Sequence, residues 1–204
     1  MKVTVSDPRK LAAALHNVAL AAASKGDRLP ALSAVKLEAD GTELVLIATD
    51  RYRLHSQTIG AEVHDAGAFL LDLADVKRTL EVLREMPRGM REWPATLTVE
   101  DGWLTVTSQS GSVFRTRGIE ADFPRWRMIM PAPQEGRSVP ERVGLRPSDW
   151  ADLAKLRDET DKPHKSHGLT IACDLPDGPG KSIRITALQV AGFEGIVMPV
   201  RLQS

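Results

Sequence analysis

One pattern of apolar, capping and turn residues runs through this chain three times, and that recurrence narrows the fold more than any single motif. In the first pass, residues 2–5 alternate as a strand, and Ser6-Asp7-Pro8 supplies a capping carboxylate followed by a proline suited to a first helical turn. Leu11, Leu15, Val18, Ala19 and Ala22 recur on one helical face, and Gly26 stands where the helix should end. Strands over 35–38, 44–48 and 52–58 follow, with hairpin chemistry at Asp40-Gly41. The second pass has a strand over 68–71, Asp72 as cap, an apolar stripe of Leu73, Val76, Leu80 and Leu83 ending near Pro87, and strands over 95–99, 103–107 and 112–119 around an Asp101-Gly102 turn. A stretch with Pro124, Pro131, Pro133 and Pro140 leads to the third: a strand over 142–145, a helix capped by Ser148 with Trp150, Leu153 and Leu156 inward, then strands over 169–173, 183–188 and 195–202. Units of roughly 60 residues repeating one topology mark an array architecture. The expected fold class is α+β, with strand-helix-three-strand units.

Composition narrows the function. With 42% apolar, 26% charged and 4% aromatic residues among 204, the chain is an ordered protein with a core rather than a disordered one. Its formal net charge is zero, so any contact with nucleic acid must come from a local basic face. Cys173 is the single cysteine, expected as a small packed strand residue, and no intrachain disulfide can form. With no charged and apolar leader at Met1-Lys2-Val3-Thr4-Val5, a cytoplasmic location is expected. Residues 11–23 form the longest apolar stretch, but His16 and Asn17 interrupt it and it is short of the roughly 20 residues that span a bilayer.

Several chemical readings fall away. His164 and His167 have no Cys or carboxylate cluster at ligand spacing, so no metal is expected. Gly178-Pro179-Gly180-Lys181-Ser182 looks like the end of a phosphate loop, yet Leu175 stands where the leading glycine belongs and a strand follows instead of a helix. It reads as a turn. No motif supports a nucleophilic triad or a catalytic carboxylate pair, so the chain is read as non-enzymatic and without a cofactor.

Three segments carry a resemblance: Thr49-Asp50-Arg51-Tyr52-Arg53-Leu54, Asp122-Phe123-Pro124-Arg125-Trp126-Arg127-Met128-Ile129-Met130-Pro131, and Met198-Pro199-Val200-Arg201-Leu202. In that order they resemble the TDG-aromatic-RL turn, the FPDYRRVLP segment and the terminal MPMRL strand of the bacterial sliding clamps, the beta subunits of the replicative DNA polymerase. The resemblance implies the DNA-clamp architecture. Residues 1–131 resemble the family's complete middle domain, 132–141 are a Pro-rich connector, and 142–204 resemble the second half of its terminal domain. Nothing resembles the first domain, and that shortness suits a phage or plasmid version.

Carried over by alignment, the resemblance implies a partner-peptide pocket formed by Leu32, Thr49, Arg51, Tyr52, Arg53, Leu54, Pro131, Ile196, Met198, Pro199, Val200, Arg201 and Leu202. Met198 and Leu54 would form an adaptable apolar floor. Arg53 and Arg201 would hold a carbonyl or terminal carboxylate. Arg51 stands where the family has glycine. The helix faces opposite the apolar stripes carry the expected contacts to double-stranded DNA: Lys10, His16, Lys25, Arg28, Lys77, Arg84, Arg88, Lys155, Lys162 and Lys165. Such side chains meet phosphate without reading sequence.

The function implied is a processivity factor that encircles duplex DNA and tethers a polymerase or other proteins with clamp-binding motifs, with a clamp loader as a further partner. One chain cannot encircle DNA, so a homo-oligomeric ring is required. Family rings hold about twelve strand-helix units, so three per chain implies a tetramer with half domains pairing across a twofold interface, and a trimer is the competing arrangement. A different class of function, a non-encircling adaptor or decoy that captures clamp-binding motifs, needs the pocket alone.

Overall fold

The computed structural model describes residues 1–24, 28–85, 93–130, 143–163, 169–175 and 181–200. Asp7 opens the first helix by accepting from the Arg9 amide at 3.0 Å, with Pro8 in the first turn. The first unit runs β1 (Lys2–Val5), α1 (Pro8–Ala19), β2 (Ala34–Asp40), β3 (Glu43–Thr49) and β4 (Arg53–Gly60). A short β5 (Glu62–Asp65) follows and pairs with β1. Its one partly buried apolar side chain, Val63, leaves no alternation to read, and the sequence analysis missed it. The second unit runs β6 (Gly67–Asp72), α2 (Leu73–Leu83), β7 (Ala95–Glu100), β8 (Trp103–Ser108) and β9 (Val113–Arg117), with Asp72 capping α2 through the Ala74 amide at 2.8 Å.

These two units exchange their opening strands. β1 pairs with β7, placing Val3 opposite Leu97, and β6 pairs with β2, placing Leu71 opposite Val35. Each unit thus completes the other's sheet. Leu11 and Leu15 from α1, Val76 and Leu80 from α2, and Leu46, Leu97 and Val106 from the sheets share one buried cluster. Burying each such side chain contributes about 1.5–3 kcal/mol.

The third unit comprises α3 (Pro147–Leu153), β10 (Ile171–Asp174), β11 (Ile183–Ala187) and β12 (Phe193–Val197). β12 pairs antiparallel with β4, so one seven-stranded sheet runs β10-β11-β12-β4-β3-β2-β6 beside a five-stranded sheet β5-β1-β7-β8-β9. Gly192 makes this joint: its φ is 71°, its carbonyl accepts from the Thr58 amide at 3.0 Å, and a Cβ there would lie 2.2 Å from the Thr58 carbonyl oxygen. Leu153, Leu156, Ile185 and Phe193 form a second core, against which Leu20 of the first unit packs.

Several expectations for this unit are corrected. Arg146, not Ser148, occupies the helix cap, and Ser148 donates to Asp149 from inside the first turn. Leu153 and Leu156 are buried as expected, but Trp150 is 44% exposed, with no described element covering it. Residues 143–145 form a single bridge, Gly144 to Val200, in place of a strand. β12 starts earlier than expected and stops at Val197, two residues before Pro199, which has no N–H for the ladder. Cys173 is exposed rather than packed, and burial of its immediate surroundings, with Asp174 nearby, raises its thiol pKa.

Candidate functional site

Strand alternation sets which face of the seven-stranded sheet is available. Leu44, Leu46 and Ala48 of β3 point into the helix core, whereas Val45 and Ile47 belong to a cluster on the opposite face with Leu54 and Ile196. The chain after β9 crosses that outer face as a strap: Ile119 and Phe123 pack on Ala34 and Leu70, then Phe123, Trp126 and Met130 pack beside Ile47, Leu54 and Ile196. Arg127 anchors the strap to Glu38 at 2.7 Å, and Lys36 reaches the same carboxylate at 2.8 Å. Burial alone would raise the Glu38 pKa, but these two cations outweigh it and hold it low.

Beside the strap, where β4 meets β12, lies a cleft of about 520 Å³. Of the residues expected there, Leu32, Thr49, Arg51, Arg53, Ile196 and Met198 line it. Leu54 is fully buried beneath it, opposite Ile196 in the ladder. Tyr52 points elsewhere, its ring 3.9 Å from the Arg146 guanidinium. Pro199 and Val200 fall outside the lining, and Val200 instead donates to the Gly144 carbonyl at 2.9 Å. Pro131, Arg201 and Leu202 lie outside the described residues. The lining also includes Pro124, Ile129, Lys181 and Ser182, which sequence reasoning had not assigned to it. The first two stood in the quoted strap motif; the last two stood in the turn that mimicked a phosphate loop.

The lip is built by local hydrogen bonds. Asp50 accepts from the Tyr52 and Arg53 amides at 2.9 Å each, and the Thr49 hydroxyl donates to the Arg53 carbonyl at 2.7 Å. Arg51 adopts φ 81°, the left-handed conformation that explains why the resembling motif has glycine there. The opposite lip is tied on by the Met198 amide, which donates to the Tyr52 carbonyl at 2.7 Å.

Arg53, expected to hold a carbonyl or terminal carboxylate, lines the cleft and is also engaged by carboxylates of its own chain. Its guanidinium meets Asp50 at 3.0 Å, Asp152 at 2.5 Å and Asp149 at 3.9 Å, binding the lip to α3. Burial lowers its pKa, but the Asp152 hydrogen bond and the three carboxylates more than offset that. Burial likewise raises the Asp152 carboxyl, and bonds from Lys155 and Arg53 override it. Behind the lip, Asn17 of α1 donates to Gln57 at 3.0 Å and to the Arg157 carbonyl at 2.9 Å, and accepts from the Arg157 amide at 2.7 Å. His55 donates from Nδ1 to the Asn17 carbonyl at 2.9 Å, and burial pushes its pKa down to about 4. A buried, paired polar network of this kind holds the joint between the first and third units in one geometry.

On the helix side, the expected cations are unevenly free. Lys10 pairs with Glu159 at 2.9 Å, Arg84 pairs with Asp161 through two nitrogens, and Lys155 pairs with Asp152 at 2.5 Å. Burial first, and Arg157 next, lower the His16 pKa and so disfavour its cationic form. Arg28, Lys77 and Lys162 are exposed. Lys25, Arg88 and Lys165 lie outside the described residues, as do His164 and His167. Among the described residues no His, Cys, Asp and Glu cluster has metal-binding geometry, and no helix is long and apolar enough to cross a membrane.

This architecture is the sliding-clamp fold. The whole chain superposes on 66% of the DNA polymerase III beta subunit of Thermotoga maritima with a TM-score of 0.74 at 18% identity. It superposes over 99% of its length on 66% of the DNA polymerase III subunit beta of Pseudomonas aeruginosa, with a TM-score of 0.71 at 15% identity. In sequence, 80 residues are 39% identical to the beta sliding clamp of Micrococcus luteus, a stretch that takes in 38% of this chain and 26% of that protein. No family model matches. The chain is therefore clamp-like in fold throughout and corresponds to just under two thirds of the solved clamp chains.

Proposed function

We propose that this protein is a DNA polymerase processivity factor of the sliding-clamp type, which self-assembles around duplex DNA and holds a polymerase or other replication proteins through the cleft at the β4–β12 joint. The observation that carries this reading is the cleft itself, into which Thr49, Arg51 and Arg53 from one end of the chain and Ile196 and Met198 from the other are brought together. An apolar groove with a few cations at its rim suits a short peptide with apolar anchors and a terminal carboxylate. Arg53 is engaged by aspartates, and Lys181 is a lining cation suited to meet that carboxylate. The protein would act through topology and effective concentration, with no chemistry of its own.

Isothermal titration with a clamp-binding peptide tests the pocket. Met198→Glu combined with Ile129→Glu should lower its affinity at least about tenfold, because each carboxylate would be desolvated against an apolar anchor. Leu54 is unsuitable for this test, since it is wholly buried and a charge there would unfold the joint. Unchanged affinity in the folded double variant would remove the pocket. A second reading, an adaptor that captures the same motifs without encircling DNA, is favoured by the ion pairs that occupy Lys10 and Arg84 on the helix side.

A further inference from the structure

Among the described residues, the third unit contains both parts of a strand exchange and lacks the exchange. In the first two units the opening strand of one fills the outer edge of the other's second strand, β6 beside β2 and β1 beside β7. The corresponding edge in the third unit belongs to β10, which pairs with β11 on one side and ends the described sheet on the other. Among the described residues nothing pairs with its backbone N–H and C=O groups on that side, which leaves them as a template for a further strand. The opening segment of the same unit, residues 143–145, is held in place by one bridge, Gly144 to Val200, with Val143 and Leu145 laid against the unit's own core.

The helices give an independent sign. The fourth helical position is Leu11 in α1, Val76 in α2 and Trp150 in α3. Leu11 and Val76 are 1% and 6% exposed, since α1 and α2 pack on one another and both side chains lie in their shared core. Trp150 is 44% exposed. Ala151 and Ala154 beside it are exposed too, and their small side chains would let another helix approach closely.

We propose that the third units of two copies of this chain join about a twofold axis, each laying its 143–145 segment along the partner's β10 and each covering the partner's Trp150 with α3. Self-complementarity selects a second copy over an unrelated protein. The third unit holds both the strand to give and the edge to receive, so two identical units satisfy each other and nothing is left over, as in the exchange already made by the first two units. This joint deepens the ring reading above and rests on it for its purpose, while its geometry comes from the internal repeat.

Sedimentation equilibrium of the full chain, hydrogen exchange at residues 171–174 and peptide titration test it together. The expected result is a mass of at least twice that of one chain, a dissociation constant raised about tenfold or more by Trp150→Glu, and β10 amides whose protection grows with protein concentration. The mass of one chain at all concentrations, an unchanged mass for folded W150E, or concentration-independent protection of β10 would each overturn it. The exchange measurement needs only the natural protein, so it decides the matter even if W150E does not fold. Peptide affinity is read on the same samples: a single-chain mass with intact peptide binding sinks the joint and leaves the pocket, and the opposite pair of results does the reverse.

Discussion

Arg51 sits at φ 81° on the lip of the cleft, a conformation that costs an L-residue about 1–2 kcal/mol relative to ordinary backbone regions. Glycine relieves that strain and loses part of the gain to its greater freedom in the unfolded chain. Arg51→Gly should therefore stabilise the fold by about 0.5–1 kcal/mol in denaturant unfolding, while weakening any peptide whose carboxylate uses the Arg51 charge. His55 has a sharper signature. Its folded pKa is about 4 because it is buried, whereas in the unfolded chain it titrates near 6.5. The unfolded state takes up the proton first as pH falls, so the stability His55 contributes is complete above pH 6.5 and is lost between there and pH 4. Unfolding at pH 5 should show a loss on the order of 2 kcal/mol relative to pH 7. His55→Gln, which keeps an amide donor but does not titrate, should flatten the curve over that window, and an unflattened curve would assign the loss to other groups.

At the scale of elements, the joint between β4, β12 and α3 depends on two polar clusters that apolar periodicity cannot show. Arg53 satisfies three aspartates, two of them on α3, so Arg53→Ala would leave partly buried carboxylates without their cation. The expected cost is about 2–3 kcal/mol of stability, read by chemical denaturation, with loss of peptide binding as the lip detaches from the helix. Asn17→Ala would strand the Gln57 carbonyl and both backbone groups of Arg157, at about 2–4 kcal/mol. If either variant unfolds like the wild type, the clusters do not hold the third unit in place.

For the whole molecule, the helix side decides whether the ring or the adaptor reading survives. Lys77 and Lys162 are exposed there, whereas Lys10, Arg84 and Lys155 are tied to carboxylates. Lys77→Glu with Lys162→Glu should weaken DNA association uniformly across sequences and flatten its dependence on salt by about one logarithmic unit per lost phosphate contact. Peptide binding should be unaffected, since the cleft lies on the opposite face of the sheet. An assembly loaded on nicked circular DNA should stay until the circle is linearised. Equal retention on circular and linear DNA would leave the adaptor as the function.

Local periodicity and turn chemistry carried much of this architecture. The caps at Asp7 and Asp72, the apolar stripes of α1 and α2 and the Asp-Gly hairpins are short-range features that appear where residue spacing placed them, except that α1 ends at Ala19 and leaves Ala22 beyond the helix. The two lips of the cleft were legible only through the resemblance of their motifs to those of the sliding clamps, and local turn chemistry alone would have left them a polar turn and an edge strand. Tertiary structure alone decided which strands are exchanged, that β5 exists, that Trp150 faces outward and that Arg53 belongs to α3. It also brought Pro124, Ile129, Lys181 and Ser182 to the cleft. These depend on partners far away in the chain, and spacing along a sequence holds no information about which distant edge or charge a side chain will meet.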